Sequence, residues 1–83
     1  MNINQDQLII FITVMETGSF SAAARQLGKV PSSISMSIAN LEIDLDLKLF
    51  ERVGREPLPT PQAQSLYEKS KQLLIEMKQW KQH

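Results

Sequence analysis

The sequence predicts a mainly α-helical domain: three short helices, a two-stranded β-hairpin and a long C-terminal helix. Apolar residues recur at helical spacing in residues 5–16, 31–45 and 61–82. Glycines and a proline separate the first three helical segments, and two prolines restrict residues 57–59 to an edge strand. A chain of 83 residues has room for one small domain. We predict a domain over residues 1–60 and a separate helix over residues 61–83.

The first helix is predicted over residues 5–16 and is expected to be scaffold. Asn4 is a suitable N-cap, and Gln7 three residues later completes a variant of the capping box. Gly18 ends the helix, because glycine adopts the left-handed conformation of a helix C-cap without strain. The apolar residues expected in the core are Leu8, Phe11, Ile12 and Met15.

The second and third helices are predicted to form a tight pair. Ser19 caps a helix over residues 20–27, in which three alanines allow close approach of a neighbouring helix. Gly28 lies where the chain must turn, and Pro31 opens the third helix. The buried stripe of the third helix is expected to consist of Ile34, Ile38, Leu41 and Leu45.

The opposite face of the third helix carries small uncharged groups. A helix with one buried stripe and a smooth polar face is what a helix-turn-helix inserts into the major groove of DNA. Serine can read either kind of base edge, asparagine can bond adenine, and methionine or alanine can contact a thymine methyl group. The alternative is a merely solvated face, although such a face more often carries Lys, Glu and Gln. The outward residues are Ser32, Met36, Ala39 and Asn40, flanked by Ser33 and Ser37.

Two further elements are expected near DNA. Ser19 and Ser21 begin the second helix, where they either cap the helix only or also contact a phosphate. Residues 49–59 are predicted to form a hairpin wing. Arg52 and Arg55 on this wing are candidates for backbone or minor-groove contacts. Their alternative role is a surface ion pair with Glu51 or Glu56.

The last helix is predicted to join two copies of the chain. Thr60 is a good N-cap, and Pro61 follows at the first helical position. Apolar and small residues then alternate at spacings of three and four, which is the pattern of a coiled-coil seam. The alternative is a helix that folds back on its own domain. The predicted dimerisation residues are Leu66, Ser70, Leu73, Leu74, Met77 and Trp80.

Composition excludes several other classes of function. The chain has no cysteine, and its single histidine, His83, is the last residue, so neither a disulfide framework nor a metal site is predicted. No nucleophile–base pair or glycine-rich phosphate loop is present, and an enzyme is therefore not predicted. No run of about 20 apolar residues and no signal peptide is seen, and a cytoplasmic location is predicted.

The charge is low for a nucleic-acid-binding protein. Nine basic residues balance nine acidic ones, so the formal net charge is zero. We therefore expect weak non-specific affinity for DNA and a need for a dimer, which doubles the phosphate contacts. Three acids, Glu42, Asp44 and Asp46, cluster at the C-terminal end of the third helix, which is expected to point away from DNA.

One set of residues, taken in order along the chain, carries a resemblance to a known family: Phe11, Gly18, Ser19, Phe20, Ala23, Ala24, Leu27, Ser35, Ile38, Leu41, Glu42, Leu49, Phe50, Glu51, Arg52 and Thr60. With these residues the chain resembles the N-terminal winged helix-turn-helix domain of LysR-type transcriptional regulators. The resemblance implies a dimerising linker helix, dyad-symmetric promoter DNA as partner, and a homodimer or, in a longer protein, a tetramer. It also implies a C-terminal domain that binds a small-molecule effector and lies outside these 83 residues, so that the chain is predicted to be a fragment without a cofactor.

The chain departs from the family pattern in the third helix. Val30, Pro31 and Ser32 stand where the family commonly has Ser-Gln-Pro, and Asp46 stands where it usually has glycine. We predict a homodimeric DNA-binding module, with a protein-interaction module that has lost DNA affinity as the alternative. Salt-dependent binding to promoter DNA distinguishes the two. The predicted DNA contacts are Ser19, Ser21, Lys29, Pro31, Ser32, Ser33, Ser35, Met36, Ser37, Asn40, Arg52 and Arg55.

Overall fold

The structure, a computed structural model, describes residues 4–53 and 56–81. Within these ranges the chain forms three helices, a two-stranded antiparallel hairpin and a long fourth helix, as the sequence predicts. The elements are α1 (Gln5–Thr17), α2 (Phe20–Leu27), α3 (Pro31–Leu45), β1 (Phe50–Val53), β2 (Glu56–Pro59) and α4 (Pro61–Lys81).

Local hydrogen bonds explain where the first helices begin and end. The Asn4 side chain accepts from the Gln7 backbone N–H at 2.8 Å, and the Asn4 N–H donates to Gln7 Oε1 at 3.0 Å, which confirms the predicted capping box. Ser19 Oγ accepts from the Ala22 N–H at 3.2 Å and caps α2. Gly18 and Gly28 end α1 and α2 with positive φ angles of 73° and 68°. The predicted N-caps and C-caps of α1 and α2 are therefore confirmed.

The C-terminal end of α3 is strained. Asp46 occupies the left-handed conformation there, with φ 55° and ψ 42°, and is the one residue other than glycine with positive φ among those described. An L-residue in this conformation costs roughly 1–2 kcal/mol. Its carboxylate also lies at the negative end of the helix dipole, which is unfavourable.

Replacing Asp46 by glycine is expected to stabilise the domain by about 1 kcal/mol, because relief of backbone strain exceeds the added entropy of the unfolded chain. Thermal unfolding should show a rise in Tm of roughly 4–8 °C. Asp46→Asn, which removes only the charge, should give less than half of this gain. Asp44→Gly, inside α3, should instead lower the Tm, and a lower Tm for Asp46→Gly would contradict the assignment of strain.

The core lies between α1 and the elements around it, since α1 contacts α2, α3 and α4. Phe11 is fully buried, and its ring centroid lies 6.0 Å from that of Phe50 on β1. Phe20 meets the same Phe50 ring edge-on at 6.1 Å. The predicted stripe on α3 is confirmed: Ile34, Ile38 and Leu41 are buried, and Leu45 packs partly against the core. Ile10 and Val14 of α1 are also buried, because neighbours cover that helix on more than one side.

Two polar side chains attach the hairpin to the helices. The Glu42 carboxylate on α3 accepts from the backbone N–H groups of Leu49 at 2.7 Å and Phe50 at 3.2 Å. Thr60 Oγ1 donates to the Lys48 carbonyl oxygen at 2.7 Å and accepts from the Ala63 N–H at 3.1 Å, so it also caps α4. The start of β1 and the end of β2 are therefore fixed to different helices.

Helix α4 packs on α1 through small residues. Ala63 and Ser70 are 0% and 2% exposed, and they lie seven residues apart on one side of the helix. At the edge of this contact Tyr67 donates its hydroxyl hydrogen to Glu16 Oε2 at 2.9 Å, and Lys71 Nζ lies 3.9 Å from the same oxygen. The first half of α4 thus packs against α1 and joins its core.

Candidate nucleic-acid interface

A tight turn sets α3 against α2. The Gly28 and Lys29 N–H groups donate to the carbonyl oxygens of Arg25 and Ala24, at 3.3 and 2.8 Å, and so close the end of α2. Val30 is extended and offers no side-chain cap, but Pro31 supplies the first helical position of α3. Three residues therefore separate the two helices, which is the geometry of a helix-turn-helix.

The face of α3 away from the core is open to solvent. Ser32, Ser33, Met36 and Asn40 are exposed, whereas Ser35 and Ser37 are half-buried at its margins. Pro31 and Lys29 are exposed at the N-terminal end of the same helix. No charged residue occurs from Pro31 to Leu41. An uncharged surface of this kind fits closely into a DNA groove. It attracts phosphate only at its edge, where Lys29 lies.

The N-terminus of α2 offers the second predicted contact. Ser19 is half-buried and engaged in capping, whereas Ser21 is exposed. The N–H groups of Phe20 and Ser21 belong to the first helical turn, which contains no helical acceptors for them. These groups suit a phosphate oxygen. The capping role of Ser19 is thus observed, and the phosphate contact stays a prediction.

The structure brings Arg52 of the wing onto the helix-turn-helix. Its guanidinium carbon lies 4.7 Å from the centre of the Phe20 ring, within the range of a cation–π contact. The nitrogen Nη2 donates to Ser35 Oγ on α3 at 3.4 Å. Arg52 thus touches both α2 and α3 while staying exposed. The alternative ion pairs with Glu51 or Glu56 are not observed for Arg52 among the described residues.

Charge is separated along α3. Glu42 is occupied by the two N–H groups at the start of β1, and Asp44 Oδ2 accepts from Gln7 Nε2 at 3.5 Å. With Asp46 at the C-cap, these acids lie at the end of the helix farthest from Lys29. Because like charges repel, the acidic end disfavours phosphate, and only the N-terminal part of α3 suits DNA.

At Ser70 the predicted dimer seam meets the chain's own domain. The Ser70 hydroxyl is buried there and has no hydrogen-bond partner among the described residues. Leu66 and Leu74 also pack partly on that core. Leu73 and Ile75, 47% and 49% exposed, remain accessible. The predicted residues Arg55, Met77 and Trp80 lie outside the residues whose side chains are described.

Two features of this surface escaped prediction because each joins different secondary-structure elements. The anchoring of β1 by Glu42 spans seven residues, and the stacking of Arg52 on Phe20 spans 32. No local pattern marks either contact. Phe20 is the first residue of α2, and nothing in its sequence position marks it as a platform for a cation.

The described residues contain neither a metal-binding cluster nor a membrane helix. Across 4–53 and 56–81, no group of three or more His, Cys, Asp or Glu side chains is placed to hold a metal ion. None of the helices described combines the length and apolar character needed to cross a membrane.

The fold and this surface define a winged helix-turn-helix protein. Residues 5–64 match the family model described as bacterial regulatory helix-turn-helix protein, lysR family. The chain therefore belongs to the LysR family. This membership confirms the resemblance drawn from Gly18, Phe20, Arg52 and the other residues named above.

Curated relatives agree with the family assignment. The HTH-type transcriptional regulator AceR of Acinetobacter baumannii is 77% identical over 83 residues, which are 100% of this chain and 28% of that protein. The probable HTH-type transcriptional regulator LtrA of Klebsiella pneumoniae is 36% identical over 89% of this chain and 24% of its own length. The chain thus spans about a quarter of the length of these relatives.

Solved structures show the same fold. A crystal structure of the CbnR_DBD-DNA complex matches with a TM-score of 0.93 and 29% identity, over 96% of this chain and 92% of that one. The BenM_DBD/benA site 1 DNA complex matches with a TM-score of 0.89 and 32% identity, over 94% and 88%. The predicted fold class is confirmed.

Proposed function

We propose that this chain is the DNA-reading part of a transcription regulator that binds dyad-symmetric promoter DNA as a homodimer. In this proposal α3 enters the major groove by its N-terminal half, and the β1–β2 wing lies against the backbone or minor groove. The chain acts by binding, not by catalysis, and works in the cytoplasm. A small-molecule effector would bind a separate domain beyond these 83 residues.

The observation that carries the proposal is the uncharged, exposed face of α3 with cations at its edge. The placement of Arg52 against Phe20 and Ser35 puts a guanidinium beside the helix that would read bases. The likeness of the fold to two domains whose structures are DNA complexes supports DNA as the partner. The names of the relatives, which are transcriptional regulators, support the regulatory role.

The proposal assigns separate tasks to the wing and to α3. Arg52→Ala is expected to weaken binding to all DNA sequences and to lower the slope of log affinity against log salt by about one unit per subunit. Ser33→Ala is expected to change base preference at one position of each half-site and to leave the salt slope unchanged. The measurement is a titration at several salt concentrations, using a site selected by the wild-type chain and a scrambled site.

Lys69→Ala is the control, because it removes one exposed cation from α4 and none from the proposed surface. It should leave base preference unchanged and alter the salt slope less than Arg52→Ala does. Equal effects of the Arg52 and Ser33 variants on both DNAs would contradict the division of tasks. Absence of salt-dependent, sequence-selective binding by the wild-type chain would favour the protein-interaction alternative.

A further inference from the structure

Met36 is the one large apolar side chain on the exposed N-terminal half of α3. It is 66% exposed and lies on the face opposite the buried Ile34 and Ile38. Its neighbours one helical turn away on the same face are Ser32, Ser33, Ala39 and Asn40, all of them exposed. Serine and alanine are short, so the thioether of Met36 extends beyond them. A molecule that binds this face of α3 therefore contacts the Met36 side chain.

The chemistry of Met36 limits what it can recognise in a groove. A thioether is a weak hydrogen-bond acceptor and donates nothing, so it gains little from the polar atoms of a base edge. The apolar group that the major groove presents is the C5 methyl group of thymine. Methionine is also flexible and polarisable, which lets it fit a small apolar surface closely.

The surroundings of Met36 favour DNA over a second protein as the occupant. The face is continuous with the proposed DNA surface, with Lys29 exposed at its start and Arg52 held beside it by Ser35. The other large exposed apolar residue of α3, Ile43, is 74% exposed but lies between Glu42 and Asp44, where negative charge disfavours phosphate. Met36 and Ile43 thus lie at electrostatically different ends of the same helix.

We infer that Met36 contacts the C5 methyl group of one thymine in each half-site and makes that thymine a determinant of specificity. The inference rests on the proposed function and assigns one base to one side chain. Burial of one methyl-sized group corresponds to about a fourfold gain in affinity. A dimer that makes the contact twice gains on the order of tenfold.

The test replaces thymine by 2′-deoxyuridine at one symmetric pair of positions at a time, in a site selected by the wild-type chain. This change removes the methyl group and keeps every hydrogen-bonding atom of the base. Wild-type binding is expected to weaken about tenfold at one such pair. Met36→Ala should bind the thymine site correspondingly less well and show no further loss with deoxyuridine at that pair. At every other pair of positions, the loss of affinity caused by deoxyuridine should be the same for Met36→Ala as for the wild type.

Ile43→Ala is the matched control, since it removes an even more exposed apolar residue from α3. It should keep the full deoxyuridine penalty. The inference is overturned if Met36→Ala keeps that penalty, or if no thymine is sensitive although the wild-type chain binds its site selectively. It is equally overturned if Met36→Ala binds DNA normally and instead loses self-association, which would make this face a protein interface. Loss of all selective binding in the wild type would refute the proposed function itself.

Discussion

The double variant Leu73→Lys/Ile75→Lys is expected to sediment as a monomer and to bind a site of two half-sites about 100-fold more weakly than the wild type. In a dimer, binding of one recognition surface holds the other near its half-site at an effective concentration in the millimolar range. Linkage of this kind raises the overall affinity by a factor of about 10²–10⁴. The low charge of each surface makes the loss large, since one copy retains few phosphate contacts.

These two residues are chosen because the structure leaves them exposed. Ala63 and Ser70 occupy the side of α4 that packs on the chain's own domain. Leu73 and Ile75 lie outside that packed side, on the exposed surface of α4. The double variant therefore places positive charge on the part of α4 that a second chain can contact. Sedimentation velocity gives the oligomeric state, and titrations with one and two half-sites separate linkage from direct contact.

Affinity for a single half-site should be unchanged or slightly higher, because lysine adds positive charge. Gln64→Lys/Gln72→Lys adds the same charge at two exposed polar positions of α4 and should remain a dimer. A dimer that persists in the Leu73/Ile75 variant would place the interface elsewhere. A monomer that still binds two half-sites with wild-type affinity would refute the role assigned to linkage.

Glu42→Ala should lower the free energy of unfolding by about 2–3 kcal/mol. The carboxylate accepts from two backbone N–H groups, of Leu49 and Phe50, and both lie in partly buried surroundings. Hydrogen bonds to a charged acceptor contribute more than neutral ones, and removing the acceptor leaves the two donors unpaired. The Tm is expected to fall by roughly 10 °C or more.

Two matched variants separate the hydrogen bonds from the charge. Glu42→Gln keeps one neutral acceptor and should lower the free energy of unfolding by about 1 kcal/mol. Glu51→Ala removes an exposed carboxylate from β1 and should change stability by less than about 0.5 kcal/mol. All variants are compared by urea and thermal unfolding at one protein concentration, since dimerisation would shift the apparent stability. An alanine variant as stable as the glutamine variant would show that the carboxylate does not anchor the wing.

The helix boundaries could be predicted because their causes are local. Asn4, Ser19 and Thr60 each accept from the N–H group three residues ahead, and Gly28 adopts a conformation in which other residues are strained. Each of these interactions spans only a few residues, so sequence spacing is enough to identify it. The buried stripe of α3 follows from helical periodicity in the same way.

The candidate surface could be predicted only in part. Periodicity places Ser32, Met36 and Asn40 on the face opposite Ile34 and Ile38, and the structure shows that face exposed. The position of Arg52 could not be predicted, because it depends on how the wing folds back over α2. The contact with Phe20 involves β1, which Glu42 anchors to α3 and whose Phe50 ring packs against that of Phe20.

The sequence by itself determined the order of the elements, their ends and the uncharged character of the recognition face, since these depend on neighbours in the chain. Only the tertiary structure decided which partner each face meets. The repeat on α4 fits a seam with a second chain or a seam with α1 equally well. Packing of Ala63 and Ser70 on the domain assigns one side of that helix internally and leaves Leu73 and Ile75 exposed. Helical periodicity fixes which residues share a face, but the surface that covers a face depends on contacts between residues far apart in sequence.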